Sequence, residues 1–237
     1  MIDKSAVTLF IIMVITFLAM STLAGAEKRG REVADNIHWL GHDTFKITGE
    51  KVPYTDPFRL KRDDAADIIL VTHEHYDHCS PEDMRKIQGP NTVIVTTADC
   101  AKKLSGDIVT IKPGDKIIAA GIQIEVVPAY NTNKQFHPKD KGWVGYIFTI
   151  DSKKIYLAGD TDYIPEMKTF KGIDVALLPV SGTYVMTAVQ AVKAALDIRP
   201  KLAIPMHYGS IVGSQKDAEI FAEKLRGKVE VNILTAE

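Results

Sequence analysis

Three histidines and one aspartate fall within six consecutive positions, His73-Glu74-His75-Tyr76-Asp77-His78, directly after the apolar run Ala66-Asp67-Ile68-Ile69-Leu70-Val71. The chain holds 7 histidines in all, so this concentration constrains its structure more than any other feature. A short apolar run of this kind predicts a strand buried on both faces. A polar segment leaving the end of such a strand lies where loops gather ligands from distant parts of the chain. In an extended segment His73 and His75 point the same way and can grip one ion. Asp77 and His78, beyond the strand, can turn toward a second. Neutral imidazole and carboxylate are the donors that suit zinc and similar divalent cations.

The rest of the chain alternates strand-like and helical stretches without an obvious linker. Residues 37–40 and 44–48 form a hairpin-like pair around Gly41-His42-Asp43. Further strands are expected at 92–96, 108–111, 116–118, 122–127, 144–150, 154–158, 175–180 and 202–205, punctuated by Pro113-Gly114 and Gly121. Ser80-Pro81-Glu82-Asp83 is a helix start, with Ser as cap, Pro in the first turn and acids at the positive end of the dipole. Thr187 and Gln190 form a capping box that opens a helix over 188–196, closed off by Pro200, and a last helix is expected over 217–225. A polar, proline-containing loop spans 131–141. Many strands with helices interspersed predict an α/β fold, an αββα sandwich of two mixed β-sheets with helices on the outer faces.

Composition sets the outer limits. With 237 residues, 46% apolar and 25% charged, the chain suffices for one large domain and is too short for two comfortable ones. Lys+Arg 29 against Asp+Glu 30 excludes a generally basic, nucleic-acid-coating protein, and no nucleic-acid partner is expected. Cys79 and Cys100 are the only cysteines and form no CxxC pair, which excludes a disulfide-framed small domain and a zinc ribbon. Cys79 is expected to be inert packing at a helix start. Residues 5–26 carry no charge, follow Lys4 and end in Ala24-Gly25-Ala26. That pattern predicts an export signal over 1–26, cleaved before Glu27, or an uncleaved membrane anchor running through residues 7–24. In either case the remaining domain, 27–237, would be periplasmic, extracellular or membrane-anchored outside the cytoplasm.

The pattern His-x-His-x-Asp-His after a hydrophobic strand resembles the defining motif of the metallo-β-lactamase superfamily. Three further stretches agree: Asp56-Pro57, Ala158-Gly159-Asp160-Thr161-Asp162, and Ile204-Pro205-Met206-His207-Tyr208-Gly209. With Trp39-Leu40-Gly41-His42 and Leu177-Leu178-Pro179, the sequence is similar to the branch that includes L-ascorbate-6-phosphate lactonases and many uncharacterised metal-dependent hydrolases. The resemblance covers residues 36 to about 212. It implies two metals, with His73 and His75 on the first, Asp77 and His78 on the second, Asp160 bridging both, and His207 completing the second. Zn2+ is the expected ion, with Mn2+ or Fe2+ as alternatives. Asp56 is expected to orient a ligating histidine through its free ring nitrogen. His42 is expected either to line the site or to be an ordinary surface histidine, and His38 to be structural.

One position departs from the family pattern. Where the superfamily has another histidine for the first metal, at the end of the strand before Asp160, this chain has Pro128-Ala129-Tyr130-Asn131. The nearest histidine is His137, six residues on, and the loop is expected to fold back so that His137 supplies the missing donor. The alternatives are Asn131 as an oxygen ligand, or a site that holds only the second metal firmly.

These residues predict a metal-dependent hydrolase acting on a small-molecule ester, lactone or phosphodiester through water activated between two cations, with Asp77 and Asp160 as catalytic residues. No Gly-x-Ser-x-Gly elbow competes for the chemistry. The competing functions are a nuclease or phosphodiesterase acting on nucleic acid, and a non-catalytic metal-binding protein. Phe136, Trp143, Tyr184 and Tyr208 are candidates for the substrate pocket, with core packing the alternative for each.

Overall fold

In the computed structural model, which describes residues 34–61 and 64–237, strand β4 (Ala66–Leu70) lies between two apolar layers. Ile68 and Leu70 belong to the large core, while Ile69 and the following Val71 belong to a smaller cluster on the opposite face. Successive side chains of a strand point to opposite faces, so an unbroken apolar run marks a strand that must be covered twice. The expectation of burial on both faces is met.

Six strands make the first sheet, in the spatial order β1 (Ile37–Gly41), β2 (Thr44–Ile47), β3 (Pro53–Thr55), β4, β5 (Gln88–Thr96), β6 (Asp107–Thr110). The first three pair antiparallel and the last four parallel. The second sheet runs β13 (Glu230–Val231), β12 (Leu202–Met206), β11 (Val175–Pro179), β10 (Lys153–Leu157), β9 (Val144–Ile150), β8 (Ile122–Pro128), β7 (Lys116–Ala119). Strands β10 to β13 are parallel, and β7 to β10 antiparallel. Both sheets are therefore mixed. Helix α1 (Pro81–Ile87) and the short α2 (Ala98–Ala101) contribute Met84, Ile87 and Cys100 to the smaller cluster. Helices α3 (Ala188–Ile198) and α4 (Gln215–Leu225) pack on each other and on β11 and β12, adding Ala191, Ala195 and Phe221 to the large core. The αββα sandwich is the observed fold.

Local signals account for most element boundaries. Ser80 caps α1 by accepting from the Asp83 amide, and Thr187 with Gln190 forms the capping box of α3. α3 continues past its expected end to Ile198, where Arg199 adopts a left-handed conformation. α4 starts at Gln215 rather than 217, because Ser214 and Asp217 form a second capping box there. β3, α2 and β13, at 3, 4 and 2 residues, are too short to register as periodicity. Cys79 and Cys100 are free thiols buried in the smaller cluster. The expected export or anchor segment, 1–26, lies outside the described residues.

Candidate metal centre

The centre lies at the strand ends where the two sheets open. The loop leaving β4 closes in a turn, with the His78 and Cys79 amides both donating to the His75 carbonyl at 3.0 and 2.8 Å. The first sheet also supplies Asp56, after β3, and His42, in the turn after β1. From the second sheet come Asp160 after β10 and His207 after β12. The parallel register of β10, β11 and β12 aligns Leu157 with Leu177 and Leu177 with Ile204, which brings the two loops to one edge. Gly159 precedes Asp160 at φ +62°, where a Cβ would stand 2.9 Å from the Val144 carbonyl and 3.0 Å from Thr72 Cγ2. A side chain there would push the Asp160 loop off the histidine loop.

His42, Asp56 and His207 all take positive φ, at 52°, 35° and 59°. Left-handed backbone in such residues costs roughly 1–3 kcal/mol each and persists only where the surroundings impose it. Here they do: the His207 amide donates to the His42 carbonyl at 3.1 Å, Trp39 Nε1 to the same carbonyl at 2.9 Å, and the Asp56 amide to the Leu70 carbonyl at 3.0 Å. A register shift between Trp39 and Gly41 in β1 re-aims the chain just before His42.

Four of the imidazoles are oriented by bonds at the nitrogen remote from the centre. His78 Nδ1 donates to Asp56 Oδ2 at 2.8 Å. The Thr72 hydroxyl donates to Asp56 Oδ2 at 2.7 Å and accepts from His73 Nδ1 at 2.9 Å. His207 Nδ1 meets Ser181 Oγ at 2.9 Å. His137 Nδ1 faces two acceptors, Asn131 Oδ1 at 3.2 Å and the Tyr184 carbonyl at 3.3 Å, which fixes its proton there. In each ring Nε2 is left facing inward, the arrangement that prepares histidines for a metal.

Those nitrogens converge on one carboxylate. Asp160 Oδ2 lies 3.1 Å from His137 Nε2, 3.2 Å from His207 Nε2 and 3.9 Å from His73 Nε2, while Oδ1 lies 3.5 Å from His78 Nε2. His75 joins through Nδ1, 3.1 Å from His73 Nε2. Asp77 sits at the edge, with Oδ2 3.2 Å from His42 Nε2 and 3.9 Å from His78 Nε2. Two donor groups result: His73, His75 and His137 on one side, and His42, Asp77, His78 and His207 on the other. His78 Nε2, His137 Nε2 and Asp160 Oδ1 are buried without a hydrogen-bond partner among the described residues. Inward ring nitrogens crowded on a buried carboxylate need positive charge between them, as protons or as metal, so this donor set fits divalent cations.

Electrostatics separate the groups. Burial, helped by neighbouring imidazoles, pushes His73 well below the usual histidine range and lowers His75. Burial also lowers His42 to about 4. For His78 and His207 burial acts the same way but is outweighed by carboxylates: Asp160 and Asp56 hold His78 well above the usual range, and Asp160 with Asp43 lifts His207 to about 9. Burial works against ionising Asp160, yet His207 and His78 hold it well below the carboxylate range.

Each expected site residue is accounted for. His137 is brought in by its loop: its amide donates to Asn131 Oδ1 at 3.0 Å and its carbonyl accepts from the Asn131 amide at 2.7 Å. Asp162 pins the loop's start by accepting from the Thr132 amide at 2.8 Å. Asn131 spends its oxygen on His137, so it is a buckle for that residue rather than a donor to the centre. His42 is buried against Asp77, which excludes the surface alternative. Trp143 is buried beneath the rings of His73 and His75, at 4.9 and 4.7 Å, with Nε1 donating to Asp99 Oδ2 at 2.7 Å. Tyr208 is buried against Trp39 at 4.8 Å. Neither lines the opening, whereas Phe136 and Tyr184 do. His38 is remote, with Nδ1 2.9 Å from Glu237 Oε1. No sequence pattern marks Thr72, Ser181 or Asp43 as parts of the site. The only available signal for Asp43 was a carboxylate in a turn between two apolar strands. Asp43 is fully buried, and burial raises it to about 8, His207 opposing.

Comparison with known proteins gives a consistent result. A family model described as a β-lactamase superfamily domain matches residues 36–207. A UPF0173 metal-dependent hydrolase of Thermoplasma acidophilum is 32% identical over 216 residues, covering 85% of this chain and 95% of its own. One from Pyrococcus horikoshii is 35% identical over 217 residues, covering 84% and 95%. Among solved structures, a protein of Parabacteroides distasonis described as a metal-dependent hydrolase is 38% identical, with a TM-score of 0.75 over 83% of this chain and 91% of its own. Igni18, described as a novel metallo hydrolase from Ignicoccus hospitalis, is 26% identical, with a TM-score of 0.70 over 84% and 94%.

Proposed function

Since this chain belongs to the metallo-β-lactamase superfamily and is a metal-dependent hydrolase of its UPF0173 branch, we propose that it holds two divalent cations and hydrolyses a small uncharged ester or lactone. The observation that carries the two-cation reading is Asp160, whose two oxygens face imidazoles from separate segments of the chain. His73, His75 and His137 would hold one cation, His78 and His207 with Asp77 the other, and Asp160 both. Bound cations supply Lewis acidity, the chemistry that activates water and polarises a carbonyl.

The chain's own residues do the rest. Asp77 borders the open cavity, and burial, which would raise its carboxyl, is outweighed by the His42 hydrogen bond and His78, so it is held below the usual range. It is therefore ionised at neutral pH and placed to accept the proton of an attacking water. His42, neutral at that pH, donates Nε2–H to Asp77 and fixes its direction. Trp143 closes the floor beneath the histidines and keeps bulk water out on that side.

The cavity over the centre supports the substrate class. It has a volume of about 320 Å³ and is walled by Tyr76, Phe136, Tyr184 and Ile211, with His75, Asp77 and Asp160 below. Tyr76 and Phe136 stand 67% and 48% exposed, ready to cover an apolar group. No lysine or arginine is among the described residues lining it. The lysines nearby are engaged elsewhere: Lys103 and Lys141 with Glu74 at 3.0 and 3.4 Å, Lys139 with Glu166 at 3.1 Å, and Lys134 with Asp162. Beyond the two cations themselves, this wall offers no cationic contact to the flanking phosphates of an extended nucleic-acid backbone.

A substrate panel assayed together with metal analysis of the purified protein tests the proposal. The expected outcome is two metal equivalents, with metal-dependent turnover of neutral esters or lactones bearing an apolar group. Turnover confined to anionic phosphodiesters would overturn the substrate class. Bound metal with no hydrolysis across the panel would favour a non-catalytic metal-binding protein.

A further inference from the structure

Asp43 is a buried carboxyl group to which the centre described so far gives no ligand role. It follows His42 in the turn between β1 and β2 and is fully buried. Both carboxylate oxygens lack a hydrogen-bond partner among the described residues. His78 Nδ1 is 4.0 Å from Asp43 Oδ2, but that nitrogen is already committed to Asp56 at 2.8 Å. A carboxylate removed from water and left unpaired is strongly disfavoured unless a cation or donor meets it. Its placement says where that cation would be: one oxygen of Asp43, one of Asp160 and a ring nitrogen of His207 lie within 4.8 Å of one another.

We propose that Asp43 is an additional carboxylate ligand of the second cation, beside His207 and Asp160, and that it raises the affinity of this half of the centre for an oxygen-seeking divalent ion such as Mn2+ above that of the three-histidine half. The inference rests on the two-cation proposal and adds a donor to it. Carboxylate donors suit Mn2+ and similar harder ions, whereas an all-imidazole set suits Zn2+. The His73, His75, His137 group adds no carboxylate to the shared Asp160, so the two halves differ in how tightly they hold a harder ion. The added negative charge also offsets a second divalent cation held close to the first.

The test uses the full chain, stripped of metal by chelation and titrated with Mn2+ and with Zn2+, following binding by calorimetry and Mn2+ by its electron paramagnetic resonance signal. Wild type is expected to take up two equivalents, with Mn2+ held more tightly at one position than at the other. In Asp43→Asn, Mn2+ affinity at that position is expected to fall by about tenfold or more, with Zn2+ uptake by the three-histidine half unchanged. Asp43→Ser serves as a second variant with a smaller side chain. Thermal unfolding of the metal-free proteins provides a check independent of activity: replacing a buried carboxyl that lacks a hydrogen-bond partner should leave the stripped Asp43→Asn protein at least as stable as stripped wild type. Unchanged Mn2+ affinity in both variants, or a metal-free Asp43→Asn that melts well below wild type while binding metal normally, would overturn the role of Asp43 alone. A wild-type chain that holds one equivalent would overturn the two-cation proposal beneath it.

Discussion

His73, His75 and His137 form one half of the centre from imidazoles alone, whereas the other half sets His78 and His207 among the carboxylates of Asp77, Asp160 and Asp43. In the first half, burial keeps His73 and His75 neutral, so the donors are ready without any loss of protons. In the second, carboxylates override burial, and His78 and His207 retain protons until a cation replaces them. The same residue type is thus prepared in two opposite ways by the charge around it. The halves are also supported differently. The first is anchored through Thr72 and the Asn131 buckle, the second through Asp56 and Ser181. Asp160 alone belongs to both, and substituting it is the most direct way to break the comparison.

Asp160→Asn should lower turnover by about a thousandfold or more, the several kcal/mol of charge stabilisation that a metal centre supplies, and metal analysis should show both equivalents weakened. Near-wild-type turnover would remove Asp160 from the chemistry. His137→Ala is expected to affect only the imidazole half. One equivalent should remain, and activity should fall by more than the roughly 10–100-fold typical of losing a supporting residue. Retention of two equivalents in that variant would show that His137 is not the donor replacing the family's missing histidine. The smallest effects are expected from the supports. Asn131→Ala and Ser181→Ala should each reduce metal affinity by roughly tenfold, the first in the imidazole half and the second in the carboxylate half. Titrating both variants with the same ion checks this, and an equal loss in both halves from either one would mean that the halves are not independently held.

Some of this organisation is written locally. The apolar run before His73 identifies a strand covered on both faces, because alternation can be dispensed with only where neither face meets water. Ser80 and Thr187 mark helix starts, because a cap needs only a side-chain oxygen and an amide two or three residues away. The clustering of His73, His75, Asp77 and His78 likewise announces a metal site from six adjacent positions. The family resemblance adds Asp160 and His207, and the departure at Pro128 to Asn131 points to His137 as the next histidine along.

The rest depends on pairing across long distances. Asp160 and His207 meet because β10, β11 and β12 run parallel in register, which no local pattern specifies. Asp56 is expected from the resemblance to orient a histidine, but Thr72 and Ser181 become supports only when the fold delivers them to the unused ring nitrogens, and nothing in the neighbourhood of a threonine or serine signals that contact. Asp43 is the clearest case. As a residue in the turn Gly41-His42-Asp43 it is unremarkable, since polar residues in turns are ordinarily solvated. Only the closing of the two sheets over it removes its water and turns it into a buried carboxyl that needs a partner, because the cost of burying such a group is set by everything that surrounds it in space.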